Sequence, residues 1–182
     1  NQITAFHPGA MNFSHQNDAG KARDVGLGIV APDGRDGMLS HCRQLHAEGV
    51  PFVFDPGQGR PLFDGGELLE MVRRADYVTL NDYEAELLMA RTGLALEALA
   101  AMVKCLVVTR GEYGARFYAD GRTIEVPVVK AAQVLDPTGC GDAFRAGFLY
   151  GVAQGWDWEK TGRLANLMGA IKIEHRGGQN HT

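Results

Sequence analysis

Apolar residues along this chain keep two rhythms in alternation. Short runs that are apolar almost throughout, at Val25 to Val30, Pro51 to Phe54, Tyr77 to Leu80 and Cys105 to Thr109, read as strands. Between them, Gly37 to Glu48, Glu67 to Arg74 and Asp82 to Arg91 repeat their apolar residues every three to four positions and read as helices. Strands that alternate with helices predict a parallel sheet with right-handed crossovers. Two further runs, Arg116 to Tyr118 and Thr123 to Val126, are joined around Asp120-Gly121 and predict an antiparallel hairpin at the sheet edge. Beyond them Phe144, Gly147, Phe148 and Gly151 form one stripe of a helix whose glycines predict close approach to the sheet, and a second long helix closes the chain. The first residues, Gln2 to Phe6, are strand-like as well. No repeat, low-complexity tract or linker interrupts residues 1–182, which read as a single domain.

Composition narrows the function. At 182 residues and 45% hydrophobic content the chain can bury a core, and no apolar run approaches the roughly 18 to 20 residues that span a bilayer. A formal net charge of −4 without a Lys/Arg stripe argues against nucleic acid as the main partner. The three cysteines, Cys42, Cys105 and Cys140, are too scattered for a disulfide scaffold and suit a reducing cytoplasm. The histidines lack zinc spacing; neither a Walker A sequence nor a complete G-x-G-x-x-G is present, since Gly26-Leu27-Gly28 lacks its third glycine.

The candidate chemistry gathers at Asp136-Pro137-Thr138-Gly139-Cys140-Gly141-Asp142, just before the glycine-striped helix. Glycines around a small residue let backbone N–H groups turn toward one point, and a helix opening at Asp142 adds unpaired N–H groups and the positive end of its dipole. Such a place holds anions. A carboxylate beside it either caps the helix or takes a proton from a substrate hydroxyl during phosphoryl transfer. Upstream, Asn81 and Glu84 have the spacing of a capping box. The turn at Thr109, Gly111 and Gly114 fits an ordinary tight connection. Cys140, at a helix N-terminus, either only fills a position that demands a small side chain or has a lowered thiol pKa that makes it the most reactive of the three cysteines.

The run DPTGCGDAFRAGFLYG resembles the C-terminal signature of the ribokinase family, the PfkB carbohydrate kinases, with Pro137 inserted after the first acid as in adenosine-kinase-like members. The stretches around Asn81 to Glu84 and Thr109 to Gly114 are similar to the family's N-x-x-E and nucleotide-turn motifs, in the same order. The resemblance implies an α/β three-layer αβα fold with a mainly parallel sheet, of which this chain is the C-terminal part, without the N-terminal portion and the lid. It implies an ATP-dependent kinase acting on a primary hydroxyl of a nucleoside or sugar. Asp142 would be the base, with the N–H groups of Gly139, Cys140 and Gly141 as the anion hole. Asn81, Thr109, Gly111, Gly114, Asp136, Thr138 and Asn166 would lie at the nucleotide, and Glu84 would help hold Mg²⁺. The DPTGCGD variant and the Gly177-Gly178-Gln179 ending favour adenosine as the acceptor, with ribose- or fructose-type sugars as the alternative. The resemblance also admits a monovalent cation and a homodimer, and implies neither a membrane nor a nucleic-acid partner. A noncatalytic nucleotide-binding domain is the competing reading.

Overall fold

The computed structural model describes residues 7–57 and 63–180; the strand-like stretch at residues 2–6 lies outside them. Six strands form one sheet in sequence order: β1 (Gly28–Val30), β2 (Phe52–Phe54), β3 (Tyr77–Asn81), β4 (Cys105–Thr109), β5 (Ala115–Ala119) and β6 (Arg122–Val126). The first four run parallel, with Tyr77 opposite Cys105 and Asn81 opposite Thr109. β5 and β6 complete the sheet antiparallel. Their turn has positive φ at both Asp120 and Gly121, which is the backbone twist that a two-residue hairpin needs and that Asp-Gly supplies at low cost.

The buried strands sort their side chains to two faces. Phe52, Phe54, Leu106 and Val108 join Met38, Leu68, Met71 and Leu88 in one cluster, under α1 (Arg35–Ala47), α2 (Gly65–Arg74) and α3 (Asp82–Thr92). The short α4 (Leu96–Ala100), which no sequence rhythm announced, adds Leu99 to the same side. Val53, Cys105, Val107 and Phe117 face the other way, onto Phe144 and Phe148 of α5 (Cys140–Ala153) and Ala165 of α6 (Trp158–Ile173). The three-layer arrangement expected from the sequence is therefore present.

Three boundaries differ from the reading of the sequence. Only Gly28–Val30 of the run from Val25 pairs as a strand, because its register is limited to the three residues of β2. The first helix begins at Arg35, two residues before the Gly37 start read from the sequence. The helix that follows Asp136-Pro137-Thr138-Gly139 opens at Cys140, two residues before Asp142, since Gly139 takes the left-handed conformation at its N-cap with φ 82°.

The glycine stripe also has a different partner. A Cβ on Gly147 would stand 2.7 Å from Ala165 Cα, and one on Gly151 would stand 2.5 Å from Thr161 Oγ1, so these glycines admit α6 and not the sheet. The sheet is approached by Phe144 and Phe148 from the neighbouring positions. Replacing Gly147 with Leu should destabilise the protein by about 3 kcal/mol, because backbone on α6 must move. Gly169→Ala, whose Cβ would meet only Cys140 O at 3.7 Å, should leave stability unchanged or raise it by up to about 1 kcal/mol. Guanidinium unfolding midpoints of the two variants check this pair, and equal midpoints would refute the packing assignment.

Candidate active site

The carboxyl ends of β2, β3 and β4 and the start of α5 meet at one edge of the sheet, where open α/β sheets bind ligands. Asp55 follows β2, Asn81 ends β3 and Thr109 ends β4. The loop from Asp136 to Gly139 leads into α5. Beside it lies a cavity of about 560 Å³, and six of the residues singled out in the sequence line it: Thr109, Gly111, Gly114, Cys140, Gly141 and Asn166. Asp142, Gly139, Asn81, Glu84, Asp136 and Thr138 are outside that lining.

The loop is held by Asp136. One carboxylate oxygen accepts the Thr138 N–H at 2.9 Å and the other accepts the Gly177 N–H at 2.8 Å. Those two backbone donors hold the Asp136 carboxyl down at about 2, below its ordinary value. Gly139 then turns the chain, and α5 begins with no side chain capping it. The Cys140 N–H donates to Pro137 O at 3.1 Å, so one of the three N–H groups expected in the anion hole is engaged within the loop.

Asp142 does not cap the helix. Its side chain is 76% exposed, and Oδ1 accepts from Arg145 Nη2 at 2.5 Å. Arg145 Nη1 also lies 2.9 Å from Oδ2 of Asp55, a carboxylate with no exposed surface. That contact is an ion pair without hydrogen-bond alignment, since Asp55 Oδ2 makes no geometrically sound hydrogen bond; Oδ1 accepts the Gly57 N–H at 3.0 Å. Burial pushes the Asp55 carboxyl up to about 6, opposed by Arg145 and reinforced by the nearby charge of Glu84. Arg145 was not singled out in the sequence, whereas Asp55 lies just past the C-terminal end of a strand-like run, where open α/β sheets place their ligands. The i, i+3 spacing of Asp142 and Arg145 is the signal that could have found the pair.

Asn81 and Glu84 form a full capping box on α3: Asn81 Oδ1 accepts the Glu84 N–H at 2.7 Å, and Glu84 Oε2 accepts the Asn81 N–H at 2.8 Å. The box places the nearly buried Glu84 carboxylate at the sheet end, close enough that its charge adds to the rise of the Asp55 carboxyl. No group of three or more His, Cys, Asp or Glu that could hold a metal alone exists among the described residues. A Mg²⁺ bound here would take its remaining oxygens from phosphates and water, as that ion commonly does.

Asn166 is buried, not on a solvated face. Its amide donates to Val126 O at 3.2 Å and to Pro127 O at 2.9 Å, pinning the segment after β6 that walls the cavity. Gly114 packs against the same segment, where a Cβ would stand 2.2 Å from Val126 O. Thr109 Oγ1 donates to Leu80 O at 3.4 Å, tying β4 to β3 at the site edge.

The expected lowering of the Cys140 thiol is not found. Partial burial raises it, opposed by the charge of Lys172, and its Sγ lies 4.0 Å from Asp136 O. All three cysteines are free.

The profile of the pfkB family carbohydrate kinases matches residues 19–182. A nucleoside kinase of Methanocaldococcus jannaschii is 34% identical over 128 residues, covering 70% of this chain and 42% of that protein. A ribokinase of Bacillus subtilis is 32% identical over 138 residues, covering 76% of this chain and 45% of its own length. Among solved structures, the Burkholderia thailandensis nucleoside kinase in complex with inosine is 54% identical with a TM-score of 0.97, covering 100% of this chain and 59% of that one. The same kinase in complex with ADP-inosine superposes with a TM-score of 0.97. The chain thus spans about half the length of the relatives it matches.

Two measurements check the electrostatics of the site. Native-state alkylation should label Cys140 before Cys42 and Cys105, which are fully buried, and its rate should climb about tenfold per pH unit beyond neutrality because the thiol is raised. Preferential labelling of either buried cysteine would refute it. Asp55 has a folded-state pKa above its ordinary 3.8, so it favours folding most at low pH and loses that contribution as pH rises through about 6. Stability should therefore lose up to about 3 kcal/mol from this group between pH 4 and 7, and Asp55→Asn should flatten that slope in urea unfolding.

Proposed function

Because this chain belongs to the pfkB family of carbohydrate kinases, we propose that the whole protein transfers the γ-phosphoryl group of ATP to a primary hydroxyl of a nucleoside. The observation that carries the reading is Asp142, an exposed carboxylate in the first turn of a helix whose start has no side-chain cap, next to the cavity. A carboxylate placed there for stability would cap the helix; this one is turned to Arg145 and solvent. Likeness to a nucleoside kinase solved with inosine at 54% identity supports a nucleoside over ribose or fructose as acceptor. The preference for adenosine drawn from the DPTGCGD run has weaker support than a purine nucleoside in general, since inosine is the ligand of that relative.

The transfer would use the residues as follows. The cavity lined by Thr109, Gly111, Gly114 and Asn166 takes the nucleotide, with its phosphates directed to the start of α5. The N–H groups of Gly139 and Gly141 face developing negative charge on the transferring group. Asp142 orients the acceptor hydroxyl and receives its proton late, since a largely dissociative transfer needs little basicity. Arg145 orients the Asp142 carboxylate beforehand, and its second contact to buried Asp55 keeps the guanidinium in place when Asp142 turns to the acceptor. Glu84, with Asp55 beside it, would hold Mg²⁺ through its waters, and the ion would supply charge neutralisation between the phosphates.

A coupled ADP-release assay on the whole protein with Mg-ATP tests this across inosine, adenosine, other nucleosides, ribose and fructose. Turnover with a purine nucleoside is the expected result, and Asp142→Asn should cut it by roughly a thousandfold while leaving ATP binding intact. ATP binding without turnover on any acceptor would instead support a noncatalytic nucleotide-binding protein.

A further inference from the structure

A buried positive charge lies under the loop that opens α5. Lys172, in the last turn of α6, has no exposed surface. Its ammonium donates to two backbone carbonyls, Asp136 O at 3.2 Å and His175 O at 3.0 Å. Among the described residues no carboxylate lies within ion-pair distance of it, although the Asp136 carboxylate is near enough for its titration to feel the charge. Burying a cation this way is costly, and an aliphatic side chain would fill the same space without that cost.

The surroundings indicate what the charge does. A ligand set of main-chain carbonyl oxygens is that of a monovalent ion such as K⁺, not of a surface salt bridge. A Cβ on Gly139 would stand 3.5 Å from Lys172 Cε, and the Cys140 thiol also feels the ammonium, so the charge lies directly under the turn into α5. The same carbonyl of Asp136 belongs to the residue whose carboxylate holds Thr138 and Gly177. Leu135 and Asp136 N–H groups both donate to Ile173 O, one residue past Lys172. The ammonium is thus the centre of the contact between the loop and the C-terminal end of α6.

We propose that Lys172 is a tethered monovalent cation, whose ammonium does for the Asp136 to Gly141 loop what a bound K⁺ would do, so that the protein needs no added monovalent ion. The inference rests on that loop being the phosphate site of the proposed kinase. It answers the monovalent-ion cofactor admitted by the sequence with a residue of the chain itself. Its chemical logic is simple. The carbonyls are drawn inward to a fixed charge, the loop keeps one shape, and the positive potential beneath it favours phosphate above.

Two readouts on the whole protein test it, at constant ionic strength in KCl, NH₄Cl or tetramethylammonium chloride. Without nucleotide, the thermal midpoint of the parent should be the same in all three salts. Lys172→Ala should melt about 5 to 10 °C lower in tetramethylammonium, since two buried carbonyls lose their donor, and K⁺ or NH₄⁺ should restore part of the loss. Lys172→Arg, which keeps the charge, should show no response to the salt and guards against an alanine variant too unstable to study. In the kinase assay the parent should turn over equally in all three salts, and Lys172→Ala should lose at least tenfold in tetramethylammonium and regain severalfold in K⁺. A parent that K⁺ stabilises or activates severalfold overturns the proposal, as does an alanine variant indifferent to the salt. The melting pattern without turnover on any acceptor would leave the tethered cation standing and remove the kinase reading.

Discussion

Asp136 is the residue on which the candidate site depends, because every polar group it owns is committed. Its carboxylate accepts two backbone N–H groups, its own N–H donates to Ile173 O, and its carbonyl accepts from Lys172. These bonds fasten the loop to the end of α6 and the segment after it, at a distance of about forty residues in sequence. With the loop fixed, Gly139 can take its left-handed turn and α5 can begin without a cap. An uncapped helix start is unfavourable unless something else meets its N–H groups. Here the fastening of Asp136 lets the site keep that deficit open for a ligand.

The sheet brings the other half of the site to the same edge. Parallel strands β2, β3 and β4 deliver Asp55, Asn81 and Thr109 to the same end of the sheet, with Asn81 directly opposite Thr109 and Asp55 one residue past Phe54, which pairs with Val78. Asp55 is buried at that edge and so needs a cation, which α5 provides in Arg145. One helix therefore carries the open N-terminus, the exposed Asp142 and the arginine that ties both to the sheet. The docking of α5 depends in turn on Gly147 and Gly151, which let α6 come close enough to carry Lys172 beneath the loop.

Local rules made much of this legible in the sequence. The β4 run is apolar at every position up to Thr109 because the sheet is covered on both faces there. The Asp120-Gly121 hairpin and the Asn81 and Glu84 capping box each need only a few adjacent residues to specify them. Failures came where a residue's partner is distant. The glycines of α5 read as sheet-facing, since the sequence does not say that a second helix lies on that side. Cys140 read as activated because a helix N-terminus lowers a thiol, whereas burial against Asp136 outweighs it. Lys172 was not singled out in the sequence, and nothing nearby in sequence announces that it is buried.

Charge shows how far the whole-chain count stands from the site. The chain carries a net −4, yet the start of α5 has the helix dipole, Arg145 on one side and the ammonium of Lys172 beneath. Interactions between exposed charges fade within a Debye length of roughly 8 Å at physiological salt, so distant acidic residues weigh little there. Lys172 is shielded from that screening by burial, and Arg145 is largely so, with about a quarter of its side chain exposed. The two cations differ in what they answer to. Arg145 is matched by two carboxylates, Asp55 and Asp142, and its charge is therefore spent locally. Lys172 meets only carbonyl dipoles at hydrogen-bond distance, so more of its field reaches past the loop to whatever anion lies above. A surface that repels phosphate on average can hold it at this one place.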